Sequence, residues 1–222
     1  GNSFEWINYS TQDWAIENVE VVTYRDGTPI PQVTNQTEWD NLTTGAWCYY
    51  NNDETKGKLY NWYAVMGMHD TDPNTPNKEF APEGWHVPSD AEWTILKQQL
   101  IASGYNYDET TTENKIAKAM ASTTGWSIST VEGGSGNDQS LNNSSGFNAF
   151  PEGFRPNGFF SGEGYYAYFW SSTEVFSNAV WYRSLYMSWF DVFKAYYAMD
   201  YGFSVRFVRD TSTASTENHQ SN

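Results

Sequence analysis

The stretch Tyr165–Tyr201 reads YYAYFWSSTEVFSNAVWYRSLYMSWFDVFKAYYAMDY, and 15 of its 37 residues are aromatic. Within it Phe169-Trp170-Ser171-Ser172-Thr173 and Ala179 to Met187 alternate with period two, and Phe203 to Val208 repeats the pattern just downstream. Such alternation sends successive side chains to opposite faces of a strand, so this end of the chain is predicted to be β. Upstream lie two helix signals. In Pro88-Ser89-Asp90-Ala91-Glu92-Trp93, Ser89 and Glu92 form a capping box; Trp93, Leu96, Leu100 and Ile101 follow on one face, and Gly104 supplies the stop. A second helix is predicted from about Thr111 to Ala121, with Thr110 and Glu113 as its box and Ile116, Ala119 and Met120 facing inward.

The first 65 residues carry short-strand and turn signals. Glu20 to Tyr24 reads as a strand, Arg25-Asp26-Gly27-Thr28 as an Asp-Gly turn, and Pro29 and Pro31 enforce an extended segment. Gly45 to Tyr50 and Leu59 to Val65 are further strand candidates, with the Asn51-Asn52-Asp53 loop between them. From Gly125 to Gly164, Gly, Asn and Ser predominate, which predicts a long loop region. Strands, two helices, loops and strands again give an α+β class, with the two helices on a small twisted antiparallel sheet. One domain is expected over residues 1–210, and the polar end 211–222 (TSTASTENHQSN) is expected to be a disordered tail.

At 222 residues the chain can bury a substantial core, and its eleven Trp help close one with few aliphatics. A net charge of −15 argues against nucleic acid and anionic membrane surfaces, because both require clustered Lys and Arg. No apolar run reaches the length of a membrane span. Cys48 is the single cysteine, so no intrachain disulfide can form.

Signals for catalysis are sparse. His86, between Trp85 and Val87-Pro88, is more often a packed, hydrogen-bonded residue than a base. His69, Asp70, Asp72 and Asn74 imitate the opening of a calcium loop, but Thr75 stands where the Gly is needed and Ala81 where the bidentate Glu belongs. Cys48, between Trp47 and Tyr49, reads as a buried thiol. Glu152, Asn157, Glu163 and Glu174 offer oxygen ligands for a calcium-dependent sugar site, yet Pro151-Glu152-Gly153 departs from the Glu-Pro-Asn type of triplet. No nucleophile elbow, phosphate loop or zinc spacing is present. The expectation is a protein without enzymatic activity, cofactor or metal.

The Tyr165–Tyr201 composition is instead that of a paratope: rigid aromatic rings separated by Ser, Ala, Asn and Asp. The plainer alternative is a pair of aromatic-rich core strands. Several phrases add a resemblance. Tyr24 to Pro31 (YRDGTPIP), Thr44 to Tyr50 (TGAWCYY), Leu59 to Val65 (LYNWYAV) and Gly84 to Ser89 (GWHVPS) resemble the Fibrobacter succinogenes major paralogous domain. So do Ser145 to Ala149 (SGFNA), Phe169 to Glu174 (FWSSTE) and Gly202 to Asp210 (GFSVRFVRD), in order along nearly the whole chain.

That family, common in Bacteroidetes and their phages, is similar to C-type-lectin-like folds of the formylglycine-generating-enzyme branch, and the resemblance implies that fold here. Phe207 stands where many members have Cys, which leaves Cys48 without a partner and speaks against the copper- and cysteine-dependent enzyme of that fold. A subset of the family resembles the variable proteins of diversity-generating retroelements, in which adenines of a C-terminal segment, typically in AAC codons, are rewritten. Tyr182, Ser184, Tyr186, Ser188, Phe190, Asp191, Phe193, Ala195, Tyr196, Tyr197, Ala198, Asp200 and Tyr201 are all reachable from AAC, and Met187, Trp189 and Met199 from AAG. Trp181, Arg183, Leu185 and Val192 would be fixed scaffold. The flanking phrases Phe169–Glu174 and Gly202–Asp210 bracket the segment, about 165–201, where the family's variable region would lie.

Tyr182, Ser184, Tyr186 and Ser188 alternate, so they share a strand face, and residues free to vary should stand outside the core. The expected ligand-binding set is therefore the AAC-reachable positions with Trp189 beside them, exposed, while Trp181 and Leu185 are buried. The implied function is a diversified receptor-binding or adhesin protein, extracellular on a phage tail or a bacterial surface. Its partner would be a protein or glycan receptor on a bacterium, engaged by a monomer or a homotrimer. A non-variable cell-envelope module is the alternative, and a calcium-dependent glycan lectin is a weaker third.

Overall fold

The computed structural model describes residues 4–211; of the tail expected at 211–222, Thr211 is held by its N–H donating to the Thr11 carbonyl, and 212–222 lie outside the described residues. Twelve elements follow in order: β1 (Trp6–Tyr9), β2 (Gln12–Ala15), α1 (Gln36–Asp40), β3 (Trp47–Tyr49), β4 (Lys58–Tyr60), α2 (Trp62–Val65), α3 (Asp90–Ala102), α4 (Ala117–Met120), β5 (Tyr166–Phe176), β6 (Ala179–Tyr186), β7 (Phe193–Ala198) and β8 (Val208–Asp210). They form three small antiparallel sheets, ordered β1-β2-β8, β3-β4 and β5-β6-β7, which agrees with the α+β class. The first joins the two ends of the described chain, as β8 pairs with β2.

The α3 capping box forms as its sequence predicts, with the Ser89 hydroxyl accepting the Glu92 N–H and Glu92 accepting the Ser89 N–H. Trp93, Leu96 and Leu100 are buried, while Ile101 packs at the core margin. The helix expected over Thr111–Ala121 shrinks to α4. Asn106 is the reason: its side-chain amide donates to Thr110 Oγ1 and the Thr112 carbonyl, and its oxygen accepts the Lys115 N–H. These bonds satisfy the backbone in a loop that a helix would otherwise claim, and Glu113 takes a positive φ of 64°. Ile116, Ala119 and Met120 are nevertheless buried as expected.

Three strand expectations also change. Glu20 to Tyr24 forms no extended strand: it pairs with the segment after the turn only through the Thr23–Pro29 bridge, where Ile30 N–H donates to Val22 and Pro29 has no N–H to give, and the Tyr60 hydroxyl donates to the Val21 carbonyl at 2.7 Å. The Asp-Gly turn after it is present, with Gly27 at φ 87° and the Asp26 carboxylate accepting the Thr28 N–H. Leu59 to Val65 is half strand and half helix. Asn61 ends β4, and its oxygen caps α2 through the Ala64 N–H and also holds the Ala46 N–H. Gly45 lets this junction close: a Cβ there would lie 2.3 Å from the Tyr24 hydroxyl and 2.7 Å from Ala64 Cα.

Phe203 to Val208 alternates but is not one strand. It threads through the middle of the molecule, bonding in turn to Tyr60, Tyr168, Val19 and Ala15. Phe203, Val205 and Phe207 enter one core cluster, while Arg206 lies over Phe147 and Phe169 and Val208 enters the other. Arg206 is fully buried without a carboxylate; its guanidinium donates to the carbonyls of Ala15, Phe147 and Asn148 and to Asn18. The Gly125–Gly164 region is loop as predicted, apart from a 3-10 turn at Gln139–Leu141.

Candidate ligand-binding surface

In the β5-β6-β7 sheet, register decides which side chain lies on which face. Tyr182 sits between Trp170 on β5 and Ala195 on β7, and Tyr186 lies opposite Tyr166. Cross-strand partners share a face. Val180, Tyr182, Ser184 and Tyr186 therefore line up with Tyr166, Tyr168 and Trp170 on one side and with Phe193, Ala195 and Tyr197 on the other. Trp181, Arg183 and Leu185 face the opposite way with Ala167, Phe169, Lys194 and Tyr196.

The inner half of the first face is core. Tyr182 is only 5% exposed: its ring stacks on Tyr197 (5.2 Å, 9° between planes) and meets the edge of Phe203 at 5.4 Å. Burial drives the Tyr182 and Tyr168 phenols well above their ordinary range, so both stay protonated. Ser184 is buried, and its hydroxyl makes no hydrogen bond. The expected exposure of Tyr182 and Ser184 is thus corrected: the Phe203 thread packs beneath this part of the sheet, where sequence alone placed nothing.

The outer half emerges as a continuous series of rings. Tyr166 meets Tyr186 at 4.5 Å, Tyr186 meets Trp189 at 5.1 Å, and Trp189 meets Phe193 at 5.1 Å. Trp189, Phe190, Phe193 and Tyr196 are exposed; Tyr186, Ser188, Asp191, Ala195, Tyr197, Ala198, Asp200 and Tyr201 are half-buried. Tyr166 belongs to this surface although it falls outside the codon-based set.

On the opposite face, Tyr196 contacts Phe176 at 5.2 Å and Trp181 at 5.8 Å. Trp181 was expected in the core but is half-buried, because the Lys194 ammonium covers it at 4.0 Å instead of a packed layer. The other expected scaffold residues, Arg183, Leu185 and Val192, are buried.

Asp90, at the start of α3, ties this surface to the scaffold. One carboxylate oxygen accepts the Lys194 ammonium at 2.8 Å; the other lies 2.9 Å from the Arg183 guanidinium, close enough to pair charges. Burial alone would raise the Asp90 carboxyl, but these two cations hold it below the ordinary carboxylate range. The turn between β6 and β7 is also seated on loops: Gly136 N–H donates to the Met187 carbonyl, Ser188 bonds Ser129, and Asn114 makes a paired bond to the Val192 backbone. Asp90, Lys194 and Asn114 carried no sequence signal as site residues, since each acts through a partner remote in the chain.

Other candidates have structural partners. His86 pairs with Glu92 at 2.6 Å, and Asp70 and Asp72 accept backbone N–H groups of their own loop. Glu152 accepts the Gly57 N–H, Glu163 pairs with Lys56, and Asn157 and Glu174 are exposed. Among the described residues, no three His, Cys, Asp or Glu side chains converge as a metal site would need. Cys48 is fully buried with Val33, Trp39, Ala46 and Leu59, and burial pushes its thiol up to about 11. Phe207 lies in a different core cluster, against Phe4 and Phe80. No helix among the described residues is long and apolar enough to cross a membrane.

The family profile of the Fibrobacter succinogenes major domain matches residues 7–209. Neither a curated protein nor a solved structure matches the chain.

Proposed function

The chain belongs to the Fibrobacter succinogenes major domain family, and on that premise we propose that it is a binding protein whose ligand contacts are diversified. Its contact surface is the outer part of the β5-β6-β7 sheet and the turn between β6 and β7, carried on a C-type-lectin-like fold. The variable segment would be written by a retroelement, and the ligand would be a receptor on a bacterial surface met by a phage tail or a surface adhesin. The observation that carries this reading is the unbroken ring series Tyr166, Tyr186, Trp189 and Phe193, with exposed Phe190 in the adjoining turn and exposed Tyr196 on the opposite face of the sheet. Exposed contiguous aromatic area marks an interaction site, and Tyr and Trp are its usual anchors. No catalytic step is proposed, and a trimer would add avidity to weak single contacts.

Burial of Tyr182 and Ser184 favours the second reading, a non-variable cell-envelope module, because a core position tolerates little variation. One experiment separates the two. Replacing Tyr186, Ser188, Phe190, Phe193 and Tyr196 together by Asn, and leaving Tyr197 and Tyr201 that pack against Phe203, should leave a folded protein that has lost its ligand. Failure to fold would mean that the rings are core and would sink the diversified-surface reading. The encoding DNA gives an independent check: a near-repeat of the codons for 165–210 differing only at adenines, beside a reverse-transcriptase gene.

A further inference from the structure

The strand β7 is an edge. It pairs with β6 on one side and, among the described residues, has no strand on the other. Both of its ends are pinned, by the Asn114 bonds to Val192 and by the Trp62 N–H donating to the Met199 carbonyl and the Trp39 indole donating to the Asp200 carbonyl. Between those pins, among the described residues, no hydrogen bond joins the backbone of Phe193–Tyr197 to anything but β6. The edge is thus anchored at both ends, with its outward amides and carbonyls unpaired among the described residues. Natural proteins normally blunt such an edge with charge, Pro or a covering loop. Here the one charged side chain on the strand, the exposed Lys194, is drawn across one face of the sheet onto Trp181 and Asp90.

Resting on the binding function proposed above, we infer that the ligand is an extended polypeptide segment that adds to the sheet as a strand beside β7. Such a segment draws affinity from main-chain hydrogen bonds and specificity from side chains on alternate faces. That division suits a surface whose side chains vary. The backbone edge is the same for every variant, while Phe193 and Tyr197 on one face and Tyr196 on the other supply what differs.

Charge selects the partner. Asp191 and Asp200, both half-buried and Asp200 with one carboxylate oxygen buried, flank the edge, so the fitting segment is apolar at its centre and basic at its ends. A second copy of the chain fits poorly. Antiparallel self-pairing centred between Ala195 and Tyr196 sets Asp191 against Asp200 at both ends, and directly opposed like charges destabilise a sheet.

The test uses a peptide of alternating Val and Thr with two Lys at each end, titrated to millimolar concentration against the whole chain. Backbone amides of Phe193–Tyr197 are followed by NMR hydrogen exchange. We expect slowed exchange at the outward amides, roughly tenfold weaker binding when alternate peptide nitrogens are methylated, and weaker binding with Glu in place of Lys. Equal binding by the methylated peptide without protection of β7 would overturn the edge inference while leaving the aromatic-surface reading intact. No binding at all would also overturn it. Protection that rises with protein concentration in the absence of peptide would assign the edge to self-pairing and overturn it as well.

Discussion

Tyr182 and Tyr196 lie on adjacent strands within one aromatic segment, and they have opposite fates. Tyr182 is sandwiched between Tyr168 and Tyr197 over Phe203, whereas Tyr196 is 48% exposed with Phe176 and Trp181 at its edges. Composition is the same around both. What differs is the layer beneath: the Phe203–Phe207 thread runs under one face of the sheet at Tyr182, and no comparable layer covers Tyr196. An aromatic-rich segment is therefore neither buried nor exposed along its whole length, and its buried and exposed rings should respond differently to substitution.

The sharpest contrast comes from truncating the two rings. Tyr182→Ala should cost about 3–5 kcal/mol of folding stability, as a large buried ring leaves a cavity. Tyr196→Ala should change stability by no more than about 0.5 kcal/mol, and equal losses in denaturant melts would erase the distinction drawn here.

Next in size is Asp90→Asn. It leaves the Arg183 guanidinium buried without its counter-charge, so a loss on the order of 3 kcal/mol is expected. Because Lys194 is released from the same carboxylate, Trp181 should become more exposed, which a red shift of tryptophan fluorescence would report. A variant as stable as the parent would mean that the outer half needs no tether to α3.

On the proposed binding surface, Trp189→Ala should weaken ligand binding by about 2 kcal/mol with little change in melting temperature. Calorimetric titration with a cognate receptor checks this, and unchanged affinity would remove Trp189 from the surface.

The smallest expected effect is at His86 and Glu92, which touch neither ring. The Glu92 hydrogen bond raises His86 above its ordinary 6.5. Burial would raise Glu92, but His86 and the Ser89 amide hold it below its ordinary 4.5. The His86 contribution is fully present below pH 6.5 and is lost as pH rises through the folded value; the Glu92 contribution is present above pH 4.5 and is lost as pH falls through its own. The pair is thus strongest between those limits. With the His86 side chain 47% exposed, solvent screening keeps it below about 1 kcal/mol. His86→Gln should remove the loss of stability that sets in as pH rises above 6.5 through the folded value, and an unchanged profile would show the pair to be neutral.

Local chemistry was legible in the residues themselves. The Ser89 and Glu92 box, the Asp26-Gly27 turn, the Gly-rich loops and the alternation of β5 and β6 all form where the sequence places them, because each depends on neighbours within a few positions. The family phrases were legible for the same reason, as runs of adjacent residues. The second helix was misread because the Asn106 side chain closes the loop around Glu113, and Leu59–Val65 was misread because Asn61 caps a helix in mid-pattern.

What only the tertiary structure decided is which aromatic face meets water. Period two assigns Tyr182 and Tyr186 to one face but cannot say what lies against it. Phe203, brought from beyond the far end of the segment, covers Tyr182 and stops short of Trp189. Burial is a property of the second layer, and the residues that build that layer are distant in sequence from the strand they cover.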